Sequence, residues 1–303
     1  MKKCLIITSS IDETVDYIIE KYNLHNQCFR FDVDLFSKYE VKIGDEYGWT
    51  VFDKISKIDI NYSSTSSIYY RKPCLPNLSE YEKKYHLLIK KDIITLINGI
   101  ANEFNGRVLS RPYILQRAEN KAYQLLYAKR LNCKIPKSFI GNVSKVLKKY
   151  AQKNSIIKPL SVGKIINAEK CELYSTGKLD MCEEDISLTP VYLQEYQEKL
   201  YEVRLTVINN NFYTVRIDTK NKVDWRLDYN NHKYSLINCP KKIRNFCLRL
   251  LKDFDLNFGT FDFIVRPDGE WIFLEINPNG QWLWLERALN LAISKDIVNY
   301  LLG

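Results

Sequence analysis

Leu274-Glu275-Ile276-Asn277-Pro278-Asn279-Gly280, running on into Gln281-Trp282-Leu283-Trp284-Leu285-Glu286, is the stretch whose reading decides the fold. The apolar run from Trp271 to Ile276 predicts a strand, and Asn277-Pro278 ends it because a proline cannot donate to a ladder. Its partner lies just upstream. Gly259 to Val265 carries Phe261-Asp262-Phe263, and the intervening Arg266-Pro267-Asp268-Gly269 has the composition of a turn. That turn folds Asp262 back beside Glu275, while Glu275 and Asn277, two apart in a strand, share one face. Two carboxylates and an amide then converge. These hard oxygen donors suit Mg²⁺, which takes few protein ligands and completes its shell with water and phosphate. A merely solvated hairpin is the poorer reading, because Asp262 and Glu275 sit inside apolar runs where an unpaired charge is costly.

Working outward, Tyr201-Glu202-Val203-Arg204-Leu205-Thr206-Val207 alternates strictly. It puts Val203, Leu205 and Val207 in a core and Glu202, Arg204 and Thr206 on the opposite face. An arginine there can meet a phosphate, and the acid can accept ribose hydroxyls; the alternative is a cross-strand ion pair on an exposed face. Lys121 follows Glu119-Asn120 on a predicted helix, and Lys158 ends the strand Ser155 to Lys158 before Pro159. A single lysine is usually a solvated surface group, so these two carry weight only in company. Ser161-Val162-Gly163 is a small loop with one glycine, a weak phosphate signal with no Walker pattern behind it.

The organisation is that of a mixed α/β chain in three parts. Residues 1–110 read as an α/β subdomain: strands at Cys4 to Thr8, Cys28 to Val33, Val41 to Ile43, Trp49 to Phe52 and Ser67 to Arg71, a helix capped near Asp12, and a long helix from Tyr85 to Phe104. Residues 111–190 hold a helix from Ala118 to Leu131 and the strand bearing Lys158. Residues 191–303 read as an antiparallel sheet built from Val191 to Tyr196, Glu202 to Ile208, Phe212 to Ile217 and the hairpin already described, closed by one helix from Trp282 to Leu302. Trp225 to Ile243, rich in Lys, Arg, Asn and Tyr, reads as a long loop.

Composition narrows the function classes. With 46% hydrophobic and 27% charged residues the 303-residue chain is an ordinary globular protein of enzyme size. No apolar run approaches the roughly 20 residues that span a bilayer, and none resembles a signal peptide, so a cytoplasmic protein with no membrane partner is expected. Eight cysteines are scattered singly without a Cys-x-x-Cys pair, as reduced core thiols rather than a zinc site. A formal net charge of +9 suits an acidic substrate; the basic residues are neither blocked nor interleaved with aromatics, which argues against nucleic acid.

Taken in order, Asn120-Lys121, Ile157-Lys158-Pro159, Gln194-Glu195-Tyr196, Glu202-x-Arg204, Asp262 and Glu275-x-Asn277 resemble the ATP-grasp superfamily over residues 110–303. Asp224-Trp225-Arg226, the segment from Leu274 to Glu286, Tyr69-Tyr70-Arg71 and the opening Leu5 to Asp12 resemble the graspetide synthetases, the microviridin-type peptide-cyclising ligases. The resemblance implies an ATP-grasp fold with an N-terminal pre-grasp domain. It also implies that Lys121 and Lys158 contact the ATP phosphates, that Ser161 and Gly163 cover them, that Gln194, Glu195 and Tyr196 form the adenine hinge, and that Glu202 holds ribose. Arg204 and Arg226 would stabilise the transferring phosphoryl group, and Asp262, Glu275 and Asn277 would hold two Mg²⁺ ions. The implied partner is a precursor peptide whose leader docks on the enzyme near Trp225 to Ile243 and whose acidic core carries Ser or Thr. A homodimer is compatible with this; the sequence does not fix the oligomeric state. The competing enzyme reading is a small-molecule ligase of the glutathione or glutamate-adding type, and a third is a non-catalytic nucleotide- or peptide-binding module, against which the full Asp262, Glu275 and Asn277 set argues.

Overall fold

The computed structural model describes residues 2–44, 47–151, 153–161, 164–167, 170–173, 177–178, 186–221 and 232–303. The first unit contains β1 (Lys3–Thr8), α1 (Glu13–Lys21), β2 (Cys28–Asp32), β3 (Tyr39–Ile43), β4 (Trp49–Asp53), β5 (Ile58–Asn61), β6 (Thr65–Tyr70), α2 (Lys83–Glu103) and β7 (Arg107–Leu109). Strands β2-β1-β6-β7 form a parallel sheet, and β3-β4-β5 an antiparallel one beside it. Strand β1 is apolar from Cys4 to Ile7 because both its faces are buried: Cys4 and Ile6 enter one core with Val15 and Ile18 of α1, and Leu5 and Ile7 enter another with Ile97 and Ile100 of α2. The Asp12 carboxylate accepts from Thr14 N at 3.0 Å and caps α1.

Next come α3 (Pro112–Ala118), α4 (Lys121–Arg130), β8 (Ser138–Gly141), α5 (Ser144–Ala151), β9 (Ser155–Lys158), β10 (Lys164–Asn167), β11 (Lys170–Leu173), β12 (Gly177–Lys178) and β13 (Val191–Glu195). Strands β12-β9-β13-β8 form one sheet, so the strand expected from Val191 to Tyr196 in the C-terminal sheet pairs instead with β8 and β9 here; among the described residues β10 pairs only with β11. The expected helix from Ala118 to Leu131 is α4, which begins at Lys121; the separate α3 ends at Ala118, and between them Asn120 leaves helical geometry and its side chain caps α4 by accepting from Tyr123 N at 2.9 Å.

The remainder is β14 (Tyr201–Ile208), β15 (Asn211–Asp218), β16 (Lys233–Leu236), α6 (Lys241–Phe254), β17 (Phe258–Val265), β18 (Trp271–Asn277), α7 (Leu283–Leu289) and α8 (Ile293–Leu302). Strands β16-β15-β14-β17-β18 make a five-stranded antiparallel sheet. Val203, Leu205 and Val207 bury against Ile243, Cys247, Leu250, Leu251 and Phe254 of α6 and against α3 and α4. The stretch expected as a loop from Trp225 to Ile243 instead contains β16 and the first turn of α6. The single closing helix is α7 and α8, separated by Asn290 in left-handed conformation (φ 51°). The expected strand from Cys28 to Val33 stops at Asp32, where a 3₁₀ turn begins. Gly163, Asp224, Trp225 and Arg226, which the resemblance singles out, lie outside the described residues. Six described cysteines are free. Among the described residues no helix is long and apolar enough to cross a membrane.

Candidate active site

The antiparallel register builds a polar row across the five-stranded sheet. Arg204 on β14 stands opposite Asp262 on β17, and Asp262 stands opposite Glu275 on β18. One step along, Thr206, Thr260 and Asn277 form the next row. Arg204 Nη1 donates to both oxygens of Asp262, at 2.8 and 2.9 Å, and Nη2 donates to the Gln281 carbonyl at 3.3 Å. Arg204 and Asp262 are 5% and 6% exposed, which corrects the alternative of an ion pair on an exposed face: β14 and β17 are buried on both sides. What covers the row is the loop after β18. A Cβ on Gly280 would stand 2.4 Å from Thr260 Oγ1 and 3.0 Å from Arg204 Nη2, so only glycine lets that loop lie on the row.

Four elements bring the remaining residues to this edge. Lys121, the first residue of α4, donates from Nζ to the Pro159 carbonyl at 2.8 Å and lies 3.7 Å from Glu275 Oε2. It therefore joins the end of β9, where Lys158 sits, to the carboxylate of β18. Gln124, one turn along α4, is buried and fixes that geometry. Its Nε2 donates to Ala118 O at 2.7 Å and Ile276 O at 2.9 Å, and its Oε1 accepts from Ile276 N at 3.0 Å. Lys121, Gln124, Tyr192, Gln194, Phe273 and Glu275 are among the residues lining a narrow cleft. A nucleotide there would find apolar walls, a lysine at a helix N-terminus and a carboxylate together.

The expected hinge is divided. Gln194 is buried in the cleft, where its Nε2 donates to Tyr192 Oη at 2.6 Å and Ser138 Oγ at 3.0 Å. Glu195 turns the other way, 2.9 Å from Lys153 Nζ and 3.9 Å from Lys137 Nζ. Tyr196 lines a separate cavity with Lys199 and Tyr201. Glu202 is buried beside Lys199, whose Nζ lies 2.5 Å from its Oε1. Ser161 is exposed just past β9.

A divalent cation fits this donor set. Asp262, Glu275 and Asn277 supply two carboxylates and an amide across β17 and β18, hard oxygen donors of the kind Mg²⁺ takes when phosphate and water complete its shell. Among the described residues, Arg204 Nε, Thr206 Oγ1, Thr260 Oγ1 and Gln194 Oε1 are buried without a hydrogen-bond partner, polar atoms lying along the row and the cleft that a ligand or water shell satisfies.

The sequence reading missed a second network. Arg71 is fully buried; its Nη1 donates to Asn279 Oδ1 at 3.0 Å, its Nη2 to Gln281 Oε1 at 2.6 Å and Thr14 Oγ1 at 3.1 Å, and its Nε lies 3.5 Å from Asp12 Oδ2. It ties the parallel sheet to the loop that covers the polar row.

Solved structures carry this same arrangement of elements. The macrocyclase MdnC from Microcystis aeruginosa, solved with its precursor peptide MdnA, is 26% identical, with 99% of each chain covered and a TM-score of 0.87. This chain has the ATP-grasp fold. The likeness spans its whole length, including the first hundred residues. A RiPP-associated ATP-grasp ligase from Chryseobacterium gregarium, in complex with ADP and a leader and core peptide, is 24% identical over 99% of this chain and 96% of its own, with a TM-score of 0.85. The ATP-grasp ligase PsnB, complexed with minimal precursor, Mg and ADP, is 19% identical over 98% of this chain and 96% of its own, with a TM-score of 0.76. No protein-family profile and no curated protein matches the chain.

Proposed function

We propose that the protein is an ATP-dependent ligase that closes rings in a precursor peptide, and that it acts in three parts, residues 1–110, 111–190 and 191–303. The observation that carries this reading is the row Arg204, Asp262, Glu275, joined through Lys121 to the end of β9, in a chain that shares the macrocyclase fold from end to end. ATP lies in the cleft with its adenine near Gln194, Glu195 and Tyr196, its ribose near Glu202, and its phosphates near Lys121, Lys158, Ser161 and Gly163. Asp262, Glu275 and Asn277 hold Mg²⁺, which neutralises the phosphate charge when bound. A side-chain carboxylate of the peptide attacks the γ-phosphorus, forming an acyl phosphate and releasing ADP. A hydroxyl of Ser or Thr, or an amine of Lys, then attacks the acyl carbon; phosphate leaves and the nucleophile loses its proton. Arg204 and Arg226 stabilise the charge that develops during transfer. No protein nucleophile takes part. The full-length likeness to peptide-bound ligases favours this over a small-molecule ligase.

The peptide brings a leader and an acidic core bearing Ser or Thr, to which the net positive charge is suited. The protein works in the cytoplasm, where ATP is available. The test is to mix it with ATP, Mg²⁺ and an acidic, Ser/Thr-rich precursor encoded beside its gene, and to weigh the product. Each ring closed removes one water, about 18 Da. Unchanged mass for every such precursor, with ATP-dependent coupling of free amino acids instead, transfers the activity to the small-molecule reading.

A further inference from the structure

Beside the polar row lies a cavity of about 430 Å³ that none of the ATP or metal roles uses. It is walled on one side by Ser9, Asp12, Glu13 and Lys72 of the first unit and on the other by Gln281, Trp284 and Arg287. Gln281 is the shared wall: its carbonyl accepts from Arg204 and its side chain accepts from Arg71, so the cavity adjoins the transfer centre. We propose that this cavity receives an acidic side chain of the substrate and that Lys72 is the residue that binds its carboxylate. The proposal rests on the peptide-ligase reading and adds to it the residue that selects for acid.

Three observations carry it. The charges around Lys72 are mostly occupied: Arg71 with Asp12 and two amides, Arg204 with Asp262, while among the described residues no carboxylate forms an ion pair with Lys72. An incoming carboxylate meets a cation whose Coulomb attraction is not already spent on a partner. Second, Lys72 is held at φ 44°, a left-handed backbone that lysine seldom adopts, in the loop directly after the buried Arg71. Non-glycine residues in such conformations persist where the surroundings impose them, and they concentrate at ligand sites. Third, its ammonium is disfavoured in the free protein, which pulls its pKa down to about 8. Desolvation is the main cause, Arg71 and Arg204 add to it, and Asp12 and Glu119 oppose it. Glu13 and Arg287 also face the cavity. A bound carboxylate reverses that balance, so binding and protonation of Lys72 reinforce one another.

The test uses the full chain and a capped glutamate, N-acetyl-glutamate N-methylamide, with the capped glutamine as its neutral twin. Amine acetylation near pH 8, mapped by mass spectrometry, reads the state of Lys72. Capped glutamate is expected to slow modification of Lys72 by on the order of tenfold while exposed Lys84 is unaffected, and capped glutamine to do nothing. Equal protection by both, or by neither, overturns the assignment. With a peptide that the wild-type protein cyclises, Lys72→Met should raise the peptide KM by on the order of tenfold and leave the ATP KM within about twofold, with Lys72→Arg recovering most of the loss. An unchanged peptide KM in Lys72→Met overturns the proposal even though ligation stands; a wild-type protein that cyclises no peptide overturns the peptide reading, and the labelling result then decides Lys72 separately.

Discussion

Arg204→Ala removes a cationic partner of the Asp262 carboxylate, which is 6% exposed, and its consequences can be worked through from the geometry. At 2.8 Å and an effective dielectric of about 20, the Arg204–Asp262 attraction is roughly 6 kcal/mol before desolvation is counted. Removing one member of such a buried pair costs about 3–5 kcal/mol, because the other charge stays buried with less to neutralise it. In a chain of this size that corresponds to a fall of about 5–10 °C in melting temperature. Mg²⁺ with ATP should restore part of the loss, since a cation at Asp262 replaces what the arginine supplied. The ligand-induced rise in melting temperature is therefore expected to be larger in the variant than in the wild type. Nucleotide binding survives, while ligation falls by on the order of 10²-fold or more, the loss of one oxyanion-type donor. The assay is thermal melting with and without Mg²⁺ and ATP, followed by calorimetric ATP binding and single-turnover ligation. An unshifted melting temperature refutes the pairing argument, and lost ATP binding with intact chemistry refutes the placing of Arg204 at the transfer step.

Other perturbations test separate parts of the account. Glu275→Gln should abolish turnover in a protein that melts normally, because a metal-holding carboxylate is gone; normal turnover with Mg²⁺ and ATP contradicts the metal assignment. Lys158→Ala should weaken ATP binding by calorimetry without unfolding the chain, and unaltered affinity returns Lys158 to an ordinary surface lysine. Gln124→Leu strands the Ile276 N–H and carbonyl and should cost about 2 kcal/mol of stability in denaturant titration, with ATP affinity falling as Lys121 loses its anchor. Lys72→Met should stabilise the protein at pH 7. A lysine whose folded pKa is lowered from 10.5 to about 8 penalises folding fully below pH 8, and the penalty fades as pH rises from 8 towards 10.5. Discounted for solvent screening of an exposed side chain, the gain is on the order of 1 kcal/mol, and melting curves that show no gain at pH 7 contradict it.

The pairing of Asp262 with Glu275 was legible because a hairpin register is a local fact set by the turn at Arg266 to Gly269, and alternation in β14 put Arg204 on one face with Glu202 and Thr206; that Arg204 stands against Asp262, 58 residues away, was not. Burial of that row was not legible. Alternation separates two faces but says nothing of what covers each, and the cover here is a loop that only Gly280 allows so close. Helix α6 was passed over although its signal was present: Ile243, Cys247, Leu250, Leu251 and Phe254 recur at helical spacing, masked by Lys and Arg on the other face. The break at Asn120 had a capping residue to announce it, and the break at Asn290 only an asparagine able to adopt φ 51°. Arg71 and Gln124 escaped for a different reason. Their partners lie 208 and 152 residues away in sequence, so no local pattern encodes what they hold.

The central claim is that a peptide carboxylate is activated as an acyl phosphate, and oxygen transfer reads it directly. A precursor peptide carrying ¹⁸O in its Asp and Glu carboxylates is incubated with the protein, ATP and Mg²⁺, and phosphate and nucleotide products are analysed by mass spectrometry. The account predicts ADP, one ¹⁸O in each phosphate released, and one phosphate for each water lost from the peptide, since the activated oxygen departs on phosphorus. AMP with ¹⁸O in its phosphate, or ring closure with unlabelled phosphate, would contradict it.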